Sequence, residues 1–174
     1  MSVRAGTSYG GALWWRTAPA ASDGAEPGEI DLVVTLGGDV DENASFVELA
    51  PSLRGRVAFD LSAVRRINSC GVREWVTFHR DLVPAAVTAL EFRACSPPVV
   101  AQLNTIANFR GRARVRSFLA PFVCDRCGRE AERLVEVAEV PTETRLPDVI
   151  CDRCAAPMAF DDLPDRYLSF LREE

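Results

Sequence analysis

Four of the six cysteines fall in two identical tetrads, Cys124-Asp125-Arg126-Cys127 and Cys151-Asp152-Arg153-Cys154. Two residues between thiols let both sulfurs of one tight turn reach a single ion. Two such turns complete a closed tetrahedral site with no position left for water. Structural zinc held by Cys124, Cys127, Cys151 and Cys154 is therefore expected. Gly128, directly after the first pair, supports a tight turn through its tolerance of positive φ, whereas Ala155 follows the second pair. The competing use, two disulfides, belongs to oxidising compartments. The first ten residues lack the apolar stretch of a secretory leader, so metal binding in a cytoplasmic setting is the expectation. Between the tetrads, Leu134, Val135, Val137 and Val140, then Pro141 to Thr144, read as a strand and turn of a small ribbon. Few apolar residues are available there, so metal would supply most of its folding energy.

A second kind of chemistry centres on Ser69. The run Ile67-Asn68-Ser69-Cys70-Gly71-Val72 follows an apolar strand and opens a helical pattern. A hydroxyl at such a helix start projects from the positive end of the helix dipole, beside unpaired backbone N–H groups. That setting stabilises a phosphate and makes Ser69 a candidate phosphorylation site. The plainer role is helix capping by Asn68 or Ser69, worth about 1 kcal/mol. Cys70 feels the same dipole, which can lower a thiol's pKa, although a small packing residue explains it as well.

Arg110, Arg112, Arg114 and Arg116 recur at every second position. On a strand all four would line one face, either as an anion-recognising stripe or as a charged edge that blocks aberrant pairing. All 20 basic residues are arginine, so every cationic group is a planar fork suited to carboxylate or phosphate. His79, the lone histidine, lies on an apolar helical face and reads as a packing residue. No nucleophile–base set or phosphate-cradling glycine loop stands out, and the expectation is a non-enzymatic protein.

Several elements must position these groups. Leu13-Trp14-Trp15 suits a first strand, and Ala20 to Gly28 a loop. Ile30 to Leu36 alternates as a strand ended by Gly37-Gly38-Asp39. Asn43 or Ser45 caps a short helix carrying Phe46, Leu49 and Leu53. Val57 to Leu61 suits a buried central strand, followed by a short polar crossing to Ser69. Val72, Trp75, Val76, His79, Leu82 and Val83 then trace an amphipathic helix ended by Pro84. Val87 to Cys95 makes another strand, Pro97 opens a helix through Val100, Leu103 and Ile106, and Arg112 to Leu119 forms a last strand. Strands alternating with helices give an α/β fold: a mixed sheet flanked by helices over residues 1–120, and a small four-cysteine module with a carboxy-terminal helix over 121–174.

The order strand, Asp60-Leu61-Ser62, short loop, Ile67-Asn68-Ser69-Cys70-Gly71-Val72, helix resembles the STAS domain of bacterial anti-sigma-factor antagonists. Leu36-Gly37-Gly38-Asp39-Val40-Asp41 resembles the segment that follows the second strand in that family, and the likeness spans about residues 29 to 118. The cysteine module is similar to a zinc ribbon. The resemblance implies signal transduction: a partner kinase phosphorylates the serine at the Ser69 position, and the modification decides partner binding. Asn68, Cys70, Gly71, Val72 and Arg73 would form the docking surface around it, for an anti-sigma factor or serine kinase. Phosphorylated members of the family usually carry aspartate at the Asn68 position and a hydroxyl residue at the Cys70 position.

The formal net charge of −5 argues against a general nucleic-acid coat, since such domains are usually basic. Nucleic-acid contact through the ribbon and the arginines, and a constitutive scaffold that keeps the fold without the switch, stand as alternatives. No apolar run long enough to span a bilayer is present.

Overall fold

The computed structural model describes residues 3–7, 12–20, 30–82, 86–140 and 146–173. The expected loop at Ala20 to Gly28, the Val83-Pro84 helix end and the Pro141 to Thr144 turn lie largely or wholly outside these residues.

The chain is mixed α/β. Strands β1 (Arg4–Thr7), β2 (Leu13–Pro19), β3 (Leu32–Val40), β4 (Gly55–Ile67), β5 (Val87–Arg93) and β6 (Arg114–Val115) form one six-stranded sheet in sequence order. The β1–β2–β3 part is antiparallel, whereas β3, β4, β5 and β6 run parallel. Parallel neighbours need crossovers. Helix α1 (Ser69–Asp81) supplies the one between β4 and β5, and α2 (Pro97–Thr105) the one between β5 and β6. Strands β7 (Ser117–Val123), β8 (Glu130–Glu136), β9 (Val149–Ile150) and β10 (Pro157–Phe160) form a second, antiparallel sheet in the order β8-β7-β10-β9. The four-residue helix α3 (Pro164–Tyr167) and a 3-10 turn over Ser169–Glu173 follow it. Among the described residues no helix is long and apolar enough to cross a membrane.

Strand β4 differs from its expectation. The polar crossing after Asp60 is not a loop: β4 runs on to Ile67, pairing with β3 out to Val40↔Ile67. Ser62, Arg65 and Arg66 are exposed, so their polarity reports an open face of the strand rather than its end. Gly37-Gly38-Asp39 likewise sits inside β3. The Trp14 ring lies over Gly37 and leaves no room for a side chain, while Gly38 takes φ +91 where the register shifts. These glycines serve close approach and a bulge rather than a turn. The short helix expected after Asn43 is a run of turns ending in a 3-10 segment over Ala50–Ser52. Phe46, Leu49 and Leu53 are nevertheless buried as that reading required.

One core joins the two sheets. Phe59, Trp75, Phe78, Phe92 and Phe109 fill it under the six-stranded sheet, and Phe118, Tyr167, Leu168 and Phe170 continue it under the second. The start of β7 bonds to the end of β5, through Cys95 N–H to the Ser117 carbonyl (3.1 Å) and Leu119 N–H to the Cys95 carbonyl (2.8 Å). The break at residue 120 therefore falls inside β7. Asn104 of α2 ties the last segment down, donating to the Tyr167 carbonyl and accepting from Phe170 N–H at 2.7 Å. The second sheet thus draws on shared packing as well as on whatever its cysteines bind.

Candidate functional site

At the start of α1 the two polar residues divide the work. Asn68 is the N-cap, its Oδ1 accepting from Gly71 N–H at 2.9 Å. Its own N–H donates to the Val40 carbonyl (3.1 Å), and its Nδ2 donates to a Glu42 carboxylate oxygen (2.9 Å). The Glu42 carboxyl is held below the usual carboxylate range by its own backbone N–H first, then by the Asn68 amide. Ser69 is the first helical residue, exposed, with no side-chain hydrogen bond among the described residues.

Of the expected docking residues, Arg73 is exposed and Asn68, Cys70 and Val72 are half-buried. Gly71 is buried, and a methyl there would run into the Val40 carbonyl oxygen. It seats the helix on the end of β3 and faces inward, so it is no part of an outer surface. Asp39, at that same strand end, pairs with Arg65 (3.3 Å) and Arg66 (3.2 Å).

The four cysteines are brought together by two hairpins. Cys124 and Cys127 occupy the tip between β7 and β8; Cys151 and Cys154 occupy the tip between β9 and β10. Their sulfurs all lie within 4.8 Å of one another, with Cys124–Cys154 at 3.5 Å and Cys127–Cys151 at 3.6 Å. A tetrahedral ion bonded to sulfur at about 2.3 Å sets its ligands about 3.8 Å apart, so the cluster can hold a metal ion. Each tip closes by the same device. Gly128 N–H donates to the Cys124 carbonyl (2.8 Å) and Ala155 N–H to the Cys151 carbonyl (3.0 Å), with φ of +68 at Gly128 and +55 at Ala155. Alanine therefore adopts the conformation that glycine favours. Arg129 spans the two tips, both its Nε and Nη2 lying 3.3 Å from the Asp152 carboxylate.

Electrostatics within the cluster favour a cation. The Cys124 thiol is drawn down to about 7: burial resists ionisation, but the Cys127 amide, the Cys154 thiol and the Arg126 amide outweigh it. Cys154 is pushed up to about 12; the Ala156 amide favours its thiolate, while burial and the other three thiols oppose it. One thiolate forms readily while Cys127 and Cys154 resist, until positive charge offsets them.

The arginine stripe is only partly a strand. Arg110 and Arg112 sit on the turn before β6, where Gly111 has φ +55; Arg114 is in β6, and Arg116 is at the break before β7. Ala113 and Val115 are buried between exposed Arg112, Arg114 and Arg116, so period-two alternation survives although one continuous strand does not. All four arginines line one groove. Glu91 is clamped by Arg93 (3.0 Å) and Arg116 (2.8 Å). Burial pulls its carboxyl up, but hydrogen bonds from Arg116 and Arg93 win and hold it low.

Sequence reasoning passed over Glu91 and the Asn104 tie. Glu91 alternates with Leu90 and Phe92 along β5, and only the fold buries it and delivers Arg116 to it from 25 residues away. No family model matches the chain, nor does any curated protein or solved structure.

Proposed function

We propose that this chain is a non-enzymatic regulatory module that docks on a protein partner, similar in its α/β part to the STAS domains of anti-sigma-factor antagonists, with modification of Ser69 setting whether it docks. The observation that carries this reading is the division of labour at α1. Asn68 performs the capping, so the exposed Ser69 hydroxyl has no structural duty to lose. The crossover helices and the parallel core of the sheet agree with the resemblance in element order. A phosphate at Ser69 would bring roughly −1.5 to −2 charges and three acceptor oxygens beside first-turn amides that have no intrahelical partner. It would change a surface without refolding the domain. The partner would be an anti-sigma factor or a serine kinase that carries its own ATP.

In the same reading the cysteine cluster holds Zn2+ as a closed structural site, since four thiolates complete its tetrahedron. Phosphopeptide mass spectrometry on protein from its native cell, with partner pull-down by wild type, Ser69→Ala and Ser69→Asp, tests the switch. Ser69 phosphate together with opposite partner binding by the two variants is expected. Unmodified Ser69 and identical binding by all three would leave a constitutive scaffold instead.

A further inference from the structure

Beyond Ser69 and the cysteine cluster, the most distinctive surface feature is the arginine groove. It measures about 690 Å³. Its walls are Arg110, Arg112, Arg114 and Arg116 on one side and Glu136 and Val137 on the other. Strand topology explains why it exists. Strand β8 pairs with β7 only as far as Ser117↔Glu136, and Val137 N–H closes that ladder on the Arg116 carbonyl at 2.8 Å. The chain then turns away through the 3-10 segment Val137–Glu139. Beyond that point β6 is, among the described residues, the edge of the six-stranded sheet, paired with β5 on one side. The groove follows the track that β8 would have taken.

We propose that an acidic, extended peptide segment of a protein partner docks in this groove as an added strand on β6. The backbone edge supplies main-chain pairing, the mode in which sheet edges take up peptides. The arginines supply the selection for carboxylates. Among the described residues lining the groove, Glu136 is the carboxylate, and Arg110 has a contact of its own. Arg116 is partly engaged by Glu91, and Arg112 donates to the Val87 carbonyl. Arg114 is exposed and makes no side-chain hydrogen bond or ion pair among the described residues. The Arg114 charge on the groove wall calls for an acidic occupant. A single-stranded nucleic acid fits less well because, among the described residues, no aromatic side chain lines the groove, and aromatic platforms carry base stacking. This surface is separate from Ser69 and stands or falls independently of it.

The test is fluorescence anisotropy of the full chain with a labelled peptide of alternating aspartate and valine, beside an oligothymidylate of matched length. The peptide is expected to bind, to weaken as salt rises, and to lose at least about tenfold in affinity in Arg114→Glu. Arg114 bears no contact the fold needs, so that variant keeps its structure, checked by its thermal unfolding. Arg16→Glu on β2 makes the same charge change elsewhere in the sheet and is expected to bind like wild type. A peptide with its backbone amides N-methylated at alternate positions is expected to fail, as strand addition requires. Peptide binding that is absent, or that Arg114→Glu leaves unchanged, overturns the proposal. Equal weakening by Arg16→Glu overturns it as non-specific attraction, and tighter binding of the oligothymidylate overturns it in favour of nucleic acid.

Discussion

His79 should make this protein lose stability on mild acidification. Its ring is 7% exposed and packed against Trp75, Phe78, Phe92 and Phe59, with ring centroids 4.3, 5.3, 5.4 and 5.9 Å away. Neither ring nitrogen has a hydrogen-bond partner among the described residues. Burial, followed by the nearby Arg112 charge, drives its pKa from 6.5 down to about 3. The folded protein therefore keeps the ring neutral while the unfolded chain takes up a proton below its ordinary value near 6.5. Stability from this group is fully present above pH 6.5 and falls steadily as pH drops toward 3. Each pH unit inside that window costs up to about 1.4 kcal/mol. Going from pH 7 to pH 5 should then cost about 2 kcal/mol, a large part of a typical total of about 5–15 kcal/mol. Glu91, held below its ordinary value of 4.5, loses its contribution only below that value, outside the interval from pH 7 to pH 5. Urea unfolding of wild type and His79→Leu at pH 7 and 5, with zinc in excess at both, isolates the effect. Protonation of the cysteine cluster then affects both proteins alike. His79→Leu should match or exceed wild type at pH 7, because two unpartnered buried nitrogens are gone, and should be about 2 kcal/mol less sensitive to the change. Parallel losses in the two proteins, or an imidazole NMR signal titrating near pH 6 in the folded state, would refute the reasoning.

Other outcomes follow from the same geometry. Gly71→Ala should destabilise by about 2–4 kcal/mol, since the new methyl meets the rigid Val40 carbonyl; Asn68→Ala should cost about 1 kcal/mol through the lost cap. Denaturant midpoints measure both. Ala155→Gly should stabilise the metal-loaded protein by about 1 kcal/mol by relieving its positive φ, and Gly128→Ala should cost about as much from φ alone, because nothing lies within 4 Å of the added methyl. Elemental analysis should find one zinc per chain, and a strong chelator or Cys151→Ser should expose the β9–β10 hairpin to limited proteolysis before the six-stranded sheet.

The cysteine cluster was legible because ligand spacing is a local property: two residues between thiols fix a turn wherever it lies in the fold. Helix α1 was legible for the same reason, as its apolar period and the Asn68-Ser69 start are contiguous. The length of β4 was hidden, because Ser62, Arg65 and Arg66 are polar for facing outward, and only pairing with β3 shows them to be in a strand. Phe78 and Gly71 escaped the helical pattern because their burial answers to Phe46 and Val40 on other elements. The arginine stripe kept its alternation and lost its strand, since Gly111 bends the chain inside it.

Strand β7 also joins parts of the chain far apart in sequence. Its first residues complete the bonding of Cys95, yet Phe118 on it packs against Phe170, and Leu119 accepts from the Tyr167 hydroxyl 48 residues later. The six-stranded sheet is complete in sequence by residue 115, whereas the apolar side of β7, which follows it, is covered by the stretch from Tyr167 to Phe170. That short segment is therefore a cover held on α2 by Asn104 and on β7 by Leu119, so truncating it would bare apolar surface on a sheet it does not belong to.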